Sequence, residues 1–316
     1  MIKLKCLIVD DVDSVLFEWL DKSSITFDYK PDWSAETAIN ALPEYDGLIV
    51  RSKFNVDKNV IDACPKLKFI GRAGAGLDNI DIDYLEKKGI AVFHASEGNK
   101  VAVAEQTVGF ILALLTNTVR ANAEVKKSIW KREENRGYEL AQLTVGLIGY
   151  GNMGKETAKR LSSFGCKIIA FDKFKRNCSC KHAEQVSIET LQAKADIISL
   201  HIPLNDFSIG CINKQFIDAV DKPFWLINTS RGKIVELKDL NEALVSGKVR
   251  GAALDVLENE KLSTLTDEQQ NIFNSLCENP NVILTPHIAG WTFESYKKIS
   301  IVLGEKINIW VNTSKI

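Results

Sequence analysis

Four polar side chains stand where strand-like runs end, and together they could support one reaction. Arg231 lies in Asn228-Thr229-Ser230-Arg231-Gly232, just after the apolar run 225–227. Asp255 follows run 251–254, with Glu260 shortly after it, and His287 ends Thr285-Pro286-His287 after run 282–284. A planar guanidinium suits bidentate capture of a carboxylate and polarisation of a ketone beside it. An imidazole exchanges protons near neutral pH. A carboxylate against that ring fixes its orientation and favours the imidazolium. Each residue also has a bland reading. Arg231 could be a surface ion-pair partner behind a turn or helix cap. His287 could be a core histidine held by hydrogen bonds. Glu260 could belong to the exposed polar connection 258–268. Position favours chemistry, because ligands of doubly wound sheets bind beyond the C-terminal ends of the strands.

A second cluster implies what lies beside them. The apolar run 143–148 leads into Gly149-Tyr150-Gly151-Asn152-Met153-Gly154, a helical segment follows over 155–164, and a strand-like run 167–171 ends at Asp172. This is the dinucleotide fingerprint: a tight turn, backbone approach to a pyrophosphate, close helix–strand packing and an acid for the ribose. The helix start offers N–H groups and a partial positive charge to the phosphates. Asp172 favours NAD over NADP, since a carboxylate repels a 2′-phosphate; Lys173, Lys175 and Arg176 blur that preference. His201-Ile202-Pro203 is expected to line the same cleft, whereas His94 reads as structural.

The fingerprint sits mid-chain, so the first ~140 residues must build something else, about one further domain. Strand-like runs at 4–9, 25–29, 47–50, 69–70 and 90–93 alternate with helical ones, such as 56–63 and 82–88. That alternation predicts a parallel α/β sheet. Residues 101–119 read as one long helix, unbroken apart from Gly109, and 121–130 as a second; both look like connectors. Further strands are expected at 197–200 and the three runs above, and a last helix at 293–310 could return to the first domain. The chain has 316 residues and a net charge of −1, so no basic surface points to nucleic acid or to an anionic membrane. It shows no charged leader, long apolar segment or lipidation signal. Seven scattered cysteines fit reduced thiols in the cytoplasm. Cys178 and Cys180 near His182 lack a fourth ligand, so no metal is expected.

These stretches resemble the D-isomer-specific 2-hydroxyacid dehydrogenases, most closely those acting on phosphoglycerate. The resemblance covers nearly the whole chain and includes Gly71-Arg72-Ala73-Gly74-Ala75-Gly76-Leu77-Asp78-Asn79-Ile80-Asp81 and Gly251-Ala252-Ala253-Leu254-Asp255-Val256 with the motifs above. It implies an α/β protein of two doubly wound parallel-sheet domains. A Rossmann cofactor domain (99–290) would be inserted into a flavodoxin-like substrate domain (1–98 and 291–316). It implies NAD as cofactor and a small 2-hydroxy or 2-oxo acid as substrate, with a homodimer or dimer of dimers formed through the cofactor domain and the 101–119 helix. Arg231, Glu260 and His287 fall on the family's catalytic positions. Cofactor contacts fall on Ala75, Gly149, Gly151, Asn152, Met153, Gly154, Asp172, Ile202, Thr229, Ser230, Arg231, Asp255, His287 and Gly290. The substrate carboxylate would meet N–H groups of Gly74-Ala75-Gly76. Arg51, Ser52 and Lys53 would meet its distal end, and Asn99 would face the same cleft.

The chain departs from the family in places. Lys261 replaces a proline, Trp291 brings an indole near the cleft, and Phe54 stands where a threonine is common. An end at Ile316 implies no C-terminal regulatory domain. The leading substrate is 3-phosphoglycerate; a glyoxylate or hydroxypyruvate reductase and a non-catalytic NAD-binding regulator are the alternatives.

Overall fold

Five short β-strands open the chain: β1 Lys5–Ile8, β2 Thr26–Tyr29, β3 Gly47–Val50, β4 Phe69–Arg72 and β5 Ala91–His94. The computed structural model describes residues 4–175 and 181–313. The strands pair in parallel in the order β2-β1-β3-β4-β5, the flavodoxin-like winding. Parallel pairing requires cover on both faces, and the strands accordingly read as apolar runs. Leu7, Leu48 and Ile70 belong to one core layer; Cys6, Ile8, Ile49 and Phe69 belong to the other. The long helix Phe293–Thr313 closes the second layer through Ile299, Leu303 and Ile307. Met1–Lys100 and Trp291–Ile316 thus form one unit, and Val101–Gly290 forms another.

The second unit holds β6 Thr144–Ile148, β7 Lys167–Phe171, β8 Glu184–Gln185, β9 Ile197–Leu200, β10 Phe224–Asn228, β11 Val249–Leu254 and β12 Val282–Leu284. Their order is β12-β11-β10-β9-β6-β7-β8, all parallel. Strand order reverses between β6 and β9, which makes the end of β6 the switch point where ligands of such sheets bind.

The expected continuous helix over 101–119 is two helices, Lys100–Leu115 and Thr118–Val125. Asn117 between them takes a left-handed φ of 53°, which Asn tolerates better than most residues. The Thr116 hydroxyl bonds back to the Leu112 carbonyl at 2.7 Å, a pattern that bends helices. The polar connection 258–268 also ends sooner than the sequence suggests. A capping box between Thr266 and Gln269 starts the helix Asp267–Glu278. No single helix among the described residues is long and apolar enough to cross a membrane. Cys178 and Cys180, like Arg176, lie outside the described residues; among those described, no group of acids, histidines and cysteines could hold a metal ion.

Candidate active site

The glycine turn lies at the end of β6. Gly149 has φ +96°, and a Cβ there would overlap the His201 carbonyl. A Cβ on Gly154 would overlap Gly149's own carbonyl, whereas one on Gly151 would meet nothing within 4 Å. The first and last glycines therefore let turn, helix and neighbouring loop pack together, and the middle one leaves the backbone open to approach. The helix Asn152–Leu161 starts here and aims its first N–H groups at that opening. Met153 is half-buried and Asn152 exposed at this start. At the end of β7, Asp172 accepts from Tyr150 N at 2.9 Å and from Phe174 N and Lys175 N at 3.1 Å. Its carboxylate is thus held at the edge of the turn. Lys173 turns its ammonium over the Phe207 ring, 4.0 Å from the centroid. These residues fit a dinucleotide: an open turn, a helix start beside it and an oriented acid.

His201 plays a different part from the one its position suggests. Its backbone packs against Gly149, but its imidazole is buried on Ser199, 3.0 Å from Nε2, and Nδ1 has no partner. Ile202 closes over the same glycine and Pro203 is exposed. Burial pushes the His201 ring down from 6.5 to about 4. The folded chain keeps it neutral, while the unfolded chain takes up a proton as pH falls below 6.5. The stability tied to the neutral ring is complete above that value. It is lost as pH falls towards 4, amounting to roughly 3 kcal/mol in all. Urea melts of the wild type and His201→Asn at pH 7 and 4.5 should show the smaller acid loss in the variant. Equal losses would remove His201 as the cause.

β10, β11 and β12 run side by side, with Asn228 opposite Leu254 and Leu254 opposite Leu284. Their ends therefore deliver residues at one strand spacing, about 4.8 Å apart. Buried Asn228 folds the first loop by accepting from Ser230 N and donating to the Arg231 carbonyl, both at 3.0 Å. Ser230 bonds the Leu200 carbonyl at 2.7 Å, and Thr229 meets Thr107 at 3.2 Å. Half-buried Arg231 donates to the Ser230 carbonyl at 2.7 Å. Gly232 follows, and a Cβ on it would overlap the Leu257 carbonyl. That contact sets the loop of Arg231 against the segment leading to Glu260.

His287 stands on a left-handed turn, φ 55°, a costly backbone for a non-glycine residue. Asp255 holds it there. Its carboxylate is 1% exposed and accepts from Ile288 N and Ala289 N at 2.8 Å and from the Thr285 hydroxyl at 2.5 Å. Its carbonyl accepts from His287 N at 2.8 Å. Half-buried Gly290 ends this loop. Asp255 thus orients the loop that carries the histidine. Glu260 meets His287 Nδ1 at 3.0 Å. A carboxylate only accepts, so Nδ1 carries the proton and Nε2 is left as the exchanging atom. Both side chains are 47% exposed; such a pair adds about 0–1 kcal/mol to stability, so its value lies in orientation.

In the other unit, Gly74 closes a tight turn onto the Arg72 carbonyl at 2.8 Å. Ala75 and Gly76 are half-buried and their N–H groups meet no acceptor among the described residues. His94 steadies this loop through the Ala75 carbonyl at 3.2 Å, in keeping with a structural role. The segment Arg51-Ser52-Lys53 folds around Asp10, whose Oδ2 accepts all three N–H groups at 2.6, 3.1 and 3.3 Å. Lys53 is not the free cation that the sequence suggests, because its ammonium donates to the Trp33 carbonyl at 2.8 Å and to that of Pro31. Arg51 stacks 4.0 Å from the Trp291 ring centroid, and its guanidinium has no hydrogen-bond partner among the described residues. Burial lowers its pKa. Asn99 Oδ1 is buried without a partner. Asp10 and Gly232 were not singled out by sequence reasoning. Asp10 follows the first strand, which is the only signal that could have found it.

Residues 108–289 match the family model of the D-isomer specific 2-hydroxyacid dehydrogenase, NAD binding domain. A D-3-phosphoglycerate dehydrogenase of Archaeoglobus fulgidus is 35% identical over 99% of this chain; the match spans 58% of that relative's length. A hydroxypyruvate reductase of Thermotoga maritima is 41% identical over 84% of this chain and 85% of its own length. Among solved structures, the D-lactate dehydrogenase of Aquifex aeolicus, complexed with NAD and lactic acid, superposes with a TM-score of 0.85. It is 29% identical, over 98% of this chain and 95% of that one. The two parallel-sheet units, the open glycine turn and these matches place the chain in the D-isomer-specific 2-hydroxyacid dehydrogenase family.

Proposed function

We propose that the chain is an NAD-dependent dehydrogenase that interconverts a small D-2-hydroxy acid and its 2-oxo acid. The carrying observation is the Glu260–His287 pair at 3.0 Å, whose loop is held in register beside Arg231. NAD would supply the hydride acceptor. In the oxidation direction His287 Nε2 takes the hydroxyl proton, and Glu260 holds the ring in place. Arg231 binds the carboxylate and the carbonyl oxygen, most strongly as negative charge develops there. The N–H groups of Ala75 and Gly76 serve the substrate carboxylate.

The leading substrate pair is 3-phosphoglycerate and 3-phosphohydroxypyruvate, which would place the chain in serine biosynthesis. Relatives with that name support it, as does the stacked guanidinium of Arg51. Hydroxypyruvate is the second reading, favoured by the Thermotoga maritima relative. NADH oxidation against a panel of 2-oxo acids tests all of this. Turnover with none would favour a non-catalytic NAD-binding regulator. Arg51→Gln should raise KM for 3-phosphohydroxypyruvate about tenfold or more, the scale of a charge-assisted hydrogen bond, and leave KM for glyoxylate unchanged. An equal shift for both would remove Arg51 as reader of a distal anion. Exposed Val119, Val125, Ile129, Trp130 and Tyr138 support a homodimer through the segment after the Lys100–Leu115 helix. The free cysteines among the described residues accord with a cytoplasmic protein.

A further inference from the structure

We propose that Trp291 is a positioning residue for Arg51: its indole is a fixed platform that aims the guanidinium at an anionic group on the distal end of the substrate. The proposal rests on the role of Arg51 as reader of that anion. Both residues belong to the unit of Met1–Lys100 and Trp291–Ile316.

Local structure holds the indole. Thr292 N donates to Ser295 Oγ at 3.0 Å, and Ser295 N donates to Thr292 Oγ1 at 3.1 Å. Tyr296 N donates to the Thr292 carbonyl at 3.0 Å. Thr292 thus caps the helix Phe293–Thr313, with Trp291 just before the cap and Tyr296 as the fourth helical residue. Those are the two positions of a hydrophobic staple. Their rings meet edge to face, 5.5 Å apart at 81°, a favoured aromatic geometry.

Arg51 lies over that indole, 4.0 Å from the ring centroid. Its backbone is tied as well, because Arg51 N donates to Asp10 Oδ2 at 2.6 Å. A cation–π contact consumes no N–H donor, so the guanidinium keeps its five for a ligand. Burial disfavours its charge, and nearby Asp10 and Asp11 offset that only in part. Asp11 Oδ1 accepts instead from the Tyr29 hydroxyl at 2.8 Å. A half-buried cation with no ion-pair partner among the described residues gains from an incoming phosphate or carboxylate. The platform removes rotamer freedom before that anion arrives, which lowers the cost of binding. An acid with no distal anion, such as glyoxylate, gains nothing from it.

Steady-state kinetics of Trp291→Leu and Trp291→Phe with NADH test this. Leucine keeps an apolar staple but offers no ring, whereas phenylalanine keeps both. Trp291→Leu should raise KM for 3-phosphohydroxypyruvate about fivefold to tenfold. Its kcat and its KM for glyoxylate should move far less, and Trp291→Phe should recover most of the loss. In an Arg51→Gln background Trp291→Leu should add nothing, since the indole acts through the guanidinium. Circular dichroism melts check that the variants fold. An unchanged KM in Trp291→Leu, an equal rise for both acids, or a full effect in the absence of Arg51 would overturn the proposal and leave the role of Arg51 standing. An unchanged KM in Arg51→Gln, or a chain that does not turn over the phosphorylated acid, would overturn the role of Arg51 and this proposal with it.

Discussion

His287→Ala should lower kcat by about 10²–10⁴-fold, the scale of general acid–base catalysis, with little change in unfolding free energy. The ring is half-exposed, and its pair with Glu260 contributes little to stability. Alanine at a φ of 55° adds backbone strain of its own. His287→Asn separates the two effects, because asparagine tolerates the left-handed region. Both variants should lose turnover alike. If only the alanine variant fails, the loop matters and the imidazole does not. Glu260→Gln should cost less than either, since it keeps the ring and loses only a charged partner.

Much of this site is legible in the sequence because strand ends are legible. Apolar runs 167–171, 197–200 and 282–284 coincide with β7, β9 and β12. Given parallel strands, the polar residues just after them must share one edge, so Arg231, Asp255, Glu260 and His287 could be grouped without coordinates. What escaped depends on contacts distant in sequence. Nothing local shows that Lys53 spends its ammonium on carbonyls twenty residues away, or that the His201 ring faces Ser199. The break at Asn117 escaped for another reason: apolar periodicity continues through it, and only the Thr116 back-bond and the tolerance of asparagine mark the bend. Position groups Asp255 with the others, but its action on the His287 loop is a matter of hydrogen bonds made 30 to 34 residues onward.

Gly232→Ala should lower kcat/KM by about 10²-fold, although residue 232 has no side chain to react. An added methyl group would overlap the backbone of Leu257. Backbone cannot swing aside as a flexible side chain can, so the segments bearing Arg231 and Glu260 must move apart. A misplacement of about 1 Å in a reacting group can cost on that scale. The strain would not be relieved nearby. Leu237 N bonds the Glu258 carboxylate at 2.5 Å, tying the same two segments a second time. NAD binding should weaken less than kcat/KM, because the glycine turn at β6 is built from other contacts. Kinetics and NAD titration on the same preparation check this. A variant with wild-type kcat/KM would show that the two segments need no such closeness. A variant that loses NAD binding equally would show that the damage spreads beyond Arg231 and Glu260.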